Sequence, residues 1–144
     1  EGSKHARILA RKNACVKKLD LSSLIAKYGK RNLLVWLELF VDDSDKSISS
    51  NLVLLSRPKH LKLHTPQIKT SAKKSDIGYI VTISSATPAL WVWLEIKGLD
   101  AAFSANFVHL CPDNPIEIQV TTEKLMTLSA LKSKLLVRSI VDTF

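Results

Sequence analysis

One strand motif written twice constrains this chain more than any other feature. VWLEL at residues 35–39 returns as VWLEI at residues 92–96, and SSNLVLL at residues 49–55 returns as SANFVHL at residues 104–110. The first pair is displaced by 57 residues and the second by 55, and a proline follows each second element, at Pro58 and Pro112. Upstream, DLSS at residues 20–23 and TISS at residues 82–85 occupy similar places, with a longer loop, LIAKYGKRN, in the first copy. One strand order is used twice.

The segments themselves alternate with period two, as half-buried strands do. In the second copy Leu90, Val92, Leu94 and Ile96 fall on one face, and Trp91, Trp93, Glu95 and Lys97 on the other. In the first, Leu33, Val35, Leu37, Leu39 and Val41 line one face, opposite Leu34, Trp36, Glu38 and Phe40. Further strands are expected at residues 16–21, 51–55, 67–71, 78–84, 106–110, 116–120 and 135–141, each bounded by turn-forming residues. Helix is scarce. Residues 19–28 and 123–131 each suit a short turn or helix, with Ser22 and Thr122 as N-caps and Gly29 as a stop.

The fold class this predicts is all-β, an immunoglobulin-like antiparallel sandwich, with one complete unit preceded by a partial one. The second copy has an opening strand in TPQIKTSA, whereas the first has only a short basic lead. Residues 1–63 therefore read as the latter part of one sandwich and residues 64–144 as a complete one. RPKHLKLHTP reads as the last strand of the first unit running into the second. An incomplete unit leaves a sheet edge open, and an open edge invites pairing, between chains or onto the second unit.

Composition narrows the functional classes. The 144 residues, 46% hydrophobic and 24% charged, read as soluble and globular. The longest apolar runs are strand-sized, so no membrane span is expected. The basic start is not followed by an apolar stretch, so it does not read as a secretory leader, and the N-terminus reads as a cut in a longer polypeptide. The net charge of +8 collects at residues 4–18 and 57–74 without interleaved aromatics. That distribution reads as a solvated or subunit-facing surface, and no nucleic-acid partner is expected. Cys15 and Cys111 are too few for a disulfide framework or a four-cysteine zinc site.

No catalytic or metal constellation stands out. Glu38 and Glu95 share the outward face of the repeated strands, where a solvated or ion-paired side chain is the plain reading. His5, His60, His64 and His109 do not form a metal-ligand spacing, since His60 and His64 lie on a strand-like segment bracketed by Pro58 and Pro66. No cofactor is expected.

At the level of motif, SSNLVLLSRPKHLKL, GYIVTISSATPALWVWLEIKG, FSANF at residues 103–107 and the terminal LLVRSIVDTF resemble the C-terminal end of the β-mannosidases of glycoside hydrolase family 2. The strongest matches are P-A-L-x-V-W-L-E at residues 88–95 and the F-S-x-N-F loop, in which Ala105 stands where the family usually carries Asp. The resemblance implies a parent glycosidase that removes terminal non-reducing β-linked mannose with retention, using two Glu residues on a barrel that precedes these sandwiches. No position in this chain matches those two residues, so catalysis by the chain alone is not expected.

The candidate contact residues are Trp36, Trp91, Trp93, Phe103, Asn106 and Phe107. Three readings stay open for the tryptophan row: packing against a neighbouring domain such as the parent's catalytic barrel, membership of the core, and stacking on a mannose-containing glycan. The repetition of Trp-x-Glu favours packing, because shared architecture explains it more simply than two sugar sites.

Overall fold

A computed structural model describes residues 2–41 and 47–143. Phe144, the last residue of the terminal LLVRSIVDTF run, lies outside them. The elements in chain order are α1 (Ser22–Tyr28), β1 (Leu34–Phe40), β2 (Ser47–Leu54), β3 (Lys69–Ser75), β4 (Gly78–Ser84), β5 (Ala89–Ile96), β6 (Ala101–Phe103), β7 (Val108–Leu110), β8 (Ile116–Thr122), α2 (Leu128–Lys134) and β9 (Leu135–Arg138). No helix among the described residues is long and apolar enough to cross a membrane.

From residue 69 onward the chain forms a four-stranded sheet, in the order β3-β4-β8-β6, and a three-stranded sheet, in the order β7-β5-β9. All ladders are antiparallel. Strands cross between the sheets along the chain, and the four-plus-three arrangement is that of an immunoglobulin-like sandwich. Alternation sets what lies between the sheets. Tyr79, Val81 and Ile83 of β4 face inward beside Ile118 and Val120 of β8, in the register Tyr79↔Val120 and Val81↔Ile118. Val92, Leu94 and Ile96 of β5 supply the opposite side, joined by Leu110 and Leu131. Burying each such side chain contributes about 1.5–3 kcal/mol.

The outer side of the four-stranded sheet is polar. Lys73 of the edge strand β3 reaches Glu117 at 3.1 Å, with both side chains more than half exposed, so the pair contributes little to stability. Lysines at 69, 73 and 74 charge this edge against pairing with another sheet.

The first copy of the motif forms a hairpin apart from both sheets. β1 and β2 pair only with each other. The repeat is nonetheless structural, because Val35↔Val53 in the hairpin and Val92↔Val108 in the sandwich are the same cross-strand pair, displaced by 57 and 55 residues.

Several expectations are corrected. Residues 16–21 belong to no strand, and RPKHLKLHTP holds a 3-10 turn at Pro58–His60 in place of a strand. Apolar and turn-bounding residues suggested strands here, but neither segment joins a ladder among the described residues. Strand β6 carries no alternation of its own and was absent from the expected set; its ladder to β8 creates it. Strand β9 stops at Arg138, where the Asp142 carboxylate accepts from the Ser139 N–H at 2.6 Å and turns the chain into a 3-10 turn.

Neither helix is capped by the residue expected. Ser22 opens α1 instead of capping it. Its N–H donates to the Asp20 carboxylate at 2.9 Å, and hydrogen bonds from Ser22 hold that carboxyl below its usual range. Gly29, at φ +79, ends the helix as the sequence suggested. Thr122 is buried as the last residue of β8, and Thr127 caps α2 instead, accepting from the Ala130 N–H at 3.2 Å. Between them the buried Tyr79 hydroxyl donates to the Met126 carbonyl at 2.7 Å and accepts from the Met126 N–H. This tie delays the helix by fixing residue 126 against the sheet.

Candidate functional site

The site grows from an irregularity in β5. Its pairing with β7 shifts register between Ala89 and Val92, and Trp91 sits there at φ +47, a left-handed backbone that is rare for a large side chain. The shift puts both Ala89 and Leu90 out of contact with solvent, so strict alternation starts only beyond the bulge. Trp91 is half-buried on the opposite side.

The bulge turns the Trp91 N–H towards a side chain. It donates to His109 Nδ1 at 3.1 Å. The His109 ring lies edge-on to the Trp91 indole, with centroids 4.9 Å apart and planes at 82°. On the hairpin side it meets Trp36 at 6.3 Å and 74°. Trp36 and Trp91 therefore come together through an imidazole. Burial lowers the His109 pKa from its ordinary value.

A second aromatic pair continues along β5. Trp93 stacks on Phe107, with centroids 6.1 Å apart and planes at 21°. Phe107 is itself left-handed, at φ +56, and 61% exposed. What holds it there is Asn106. The Asn106 side chain accepts from the Leu94 N–H at 2.8 Å, donates to the Leu94 carbonyl at 3.0 Å, and accepts from the Phe107 N–H at 3.1 Å. A side-chain amide thus stands in for a strand partner where the FSANF loop leaves β5 unpaired. Phe103 goes elsewhere: it packs against the core from β6, opposite Val120.

Asn106→Ala removes all three bonds and leaves the backbone groups of Leu94 without partners. A loss of roughly 2–3 kcal/mol in unfolding free energy is expected by urea titration. Asn106→Asp is expected to fall between, since it keeps the acceptor and loses the donor to the Leu94 carbonyl.

The six residues singled out in the sequence divide into a Trp36 and Trp91 joint, a Trp93 and Phe107 stack, Asn106 beneath that stack, and Phe103 in the core wall. His109 was not among them. The repeat held a signal for it: Leu34↔Leu54 in the first copy corresponds to Trp91 and His109 in the second, an apolar pair exchanged for an aromatic and a titratable one. The carboxylates on the two motif strands stay apart from this chemistry. Glu95 lies 3.8 Å from Arg138, both about half exposed.

The family model Ig_mannosidase, an Ig-fold domain, matches residues 63–143. Among solved structures the chain is similar to the β-D-mannosidase of Dictyoglomus thermophilum, at 24% identity and a TM-score of 0.65, over 76% of this chain. The match spans 13% of that enzyme's length. None of the curated proteins compared matches the chain.

Proposed function

The chain belongs to the Ig_mannosidase family of Ig-fold domains, and from that premise we propose that it is a non-catalytic accessory region of a β-mannosidase-like glycoside hydrolase. The parent, of glycoside hydrolase family 2, removes terminal non-reducing β-D-mannose using carboxylates on a catalytic barrel outside this chain. The sandwich buttresses that barrel. Residues 1–63 are the latter part of a preceding sandwich, and residues 64–144 are the C-terminal one.

The observation that carries this reading is the surface of the β1–β2 hairpin. Leu37, Leu39, Phe40, Ile48 and Val53 are each between 38% and 60% exposed, and they come from both strands and both faces. Two strands cannot bury such residues on their own. Surface of this kind suits packing against a neighbouring domain, and the hairpin's outer edges suit pairing with further strands or with a second chain.

The test is enzymatic. The 144-residue chain, incubated with an aryl β-mannoside, is expected to release no more phenol than a blank. Turnover well above blank from a clean preparation overturns the proposal.

A second reading, an autonomous carbohydrate-binding module, draws on the exposed face of Phe107 over Trp93. Titration with mannan oligosaccharides, followed by tryptophan fluorescence, separates the two. A flat response is expected of an accessory domain, and a saturable one of a binding module.

A further inference from the structure

The ring that joins the hairpin to the sandwich, His109, is the one titratable side chain in the Trp36–His109–Trp91 contact. We propose that His109 is a pH-sensitive latch, whose neutral ring closes the Trp36–His109–Trp91 contact and whose protonation opens it.

The geometry requires a particular protonation state. The register shift in β5 turns the Trp91 N–H out of the β5–β7 ladder, and its acceptor is His109 Nδ1 at 3.1 Å. A nitrogen that accepts carries no proton, so the ring is neutral with its proton on Nε2. Adding the second proton makes Nδ1 a donor that faces another donor. Flipping the ring gives no relief, because an imidazolium donates from both nitrogens. An imidazolium is attracted to indole faces, but that attraction supplies no acceptor for the Trp91 N–H.

The surroundings push in the same direction. Half-burial disfavours the charged ring, and it is the sole cause of the lowered pKa. The charged side chains on the strands packed around it are Glu38 on β1, Glu95 on β5 and Arg138 on β9, the last two paired with each other. Cys111 lies two residues further along the chain, just past the end of β7. The sign follows from linkage: with the closed-state pKa below the ordinary value, the open state binds the proton more readily. The latch is therefore fully closed above the ordinary histidine pKa. It weakens as pH falls through that value towards the closed-state pKa, and levels off below it.

The experiment is amide exchange of Leu34–Phe40 and Ser47–Leu54 in the full chain, corrected for intrinsic rates, at about pH 7.5 and about pH 5. Protection of the hairpin is expected to fall several-fold at the lower pH. In His109→Asn the amide oxygen offers a non-titrating acceptor near the place of Nδ1, and protection there is expected to be the same at both pH values. Unchanged protection in the wild type, or an equal fall in His109→Asn, overturns the latch. A second measurement needs no variant: the His109 ring-proton resonance is expected to titrate below the ordinary histidine value of about 6.5. A midpoint at or above that value overturns the proposal equally.

Discussion

Replacing Gly78 with alanine is expected to lower the stability of the chain by roughly 2–5 kcal/mol, seen as a lower urea midpoint at unchanged slope. Gly78 opens β4 at the end of the tight β3–β4 turn, opposite Ser75, with φ at +142. A β-carbon there overlaps the Val120 carbonyl oxygen and comes to 3.3 Å from Thr121 Cα. Two costs add: a left-handed backbone that side chains avoid, about 1–3 kcal/mol, and a collision with main chain that cannot rotate away. Relief requires β8 to retreat, which breaks the Tyr79↔Val120 end of the ladder at the sandwich core. Gly98→Ala is the matched control. Its φ is +72 but nothing lies within 4 Å of the added carbon, so only the backbone term of about 1 kcal/mol applies. Equal losses at the two sites would mean that the Val120 carbonyl yields freely.

Leu131→Ala is expected to cost about 2–5 kcal/mol, with raised amide exchange across residues 128–138. Helix α2 has seven residues, too few to hold itself together in water. Leu131 is its one buried residue, fully enclosed in the core. The helix runs directly into β9, whose pairing with β5 starts at Leu135↔Ile96, and Lys97 donates its N–H to the Lys134 carbonyl at 2.9 Å. Removing the three carbons beyond Leu131 Cβ therefore loosens a strand as well as a helix. A loss below about 1 kcal/mol would show that half-buried Leu128 carries the docking instead.

The strands that read most clearly from the sequence are those whose two faces meet different surroundings. β4 and β8 alternate between core and polar outer face, and β5 does so beyond its bulge. Residues 16–21, Val-Lys-Lys-Leu-Asp-Leu, carry apolar residues without strict alternation and form no strand, since apolar content alone supplies no partner for a ladder. β6 shows the converse: three residues with no pattern become a strand because β8 offers them an edge. Among the candidate site residues, the sequence could mark Trp36, Trp91 and Trp93 as a row but not their separation. A one-residue bulge divides them, sending Trp91 to His109 and leaving Trp93 to Phe107.

By itself, the sequence determined the sandwich class and the doubled strand motif. Alternation fixes which face of a strand is apolar, and the nearly equal displacements of the two motif elements, 57 and 55 residues, carry Val35↔Val53 onto Val92↔Val108. Tertiary structure alone decided what each copy became. The second copy found β9 as a further partner for its VWLEI strand and closed over a core, whereas the first remained a two-stranded hairpin with apolar side chains exposed on both faces. It also decided that a histidine stands between the copies. The positions of Trp36, Trp91 and His109 are set by a register shift and by contacts across more than seventy residues of chain, and no local pattern encodes either.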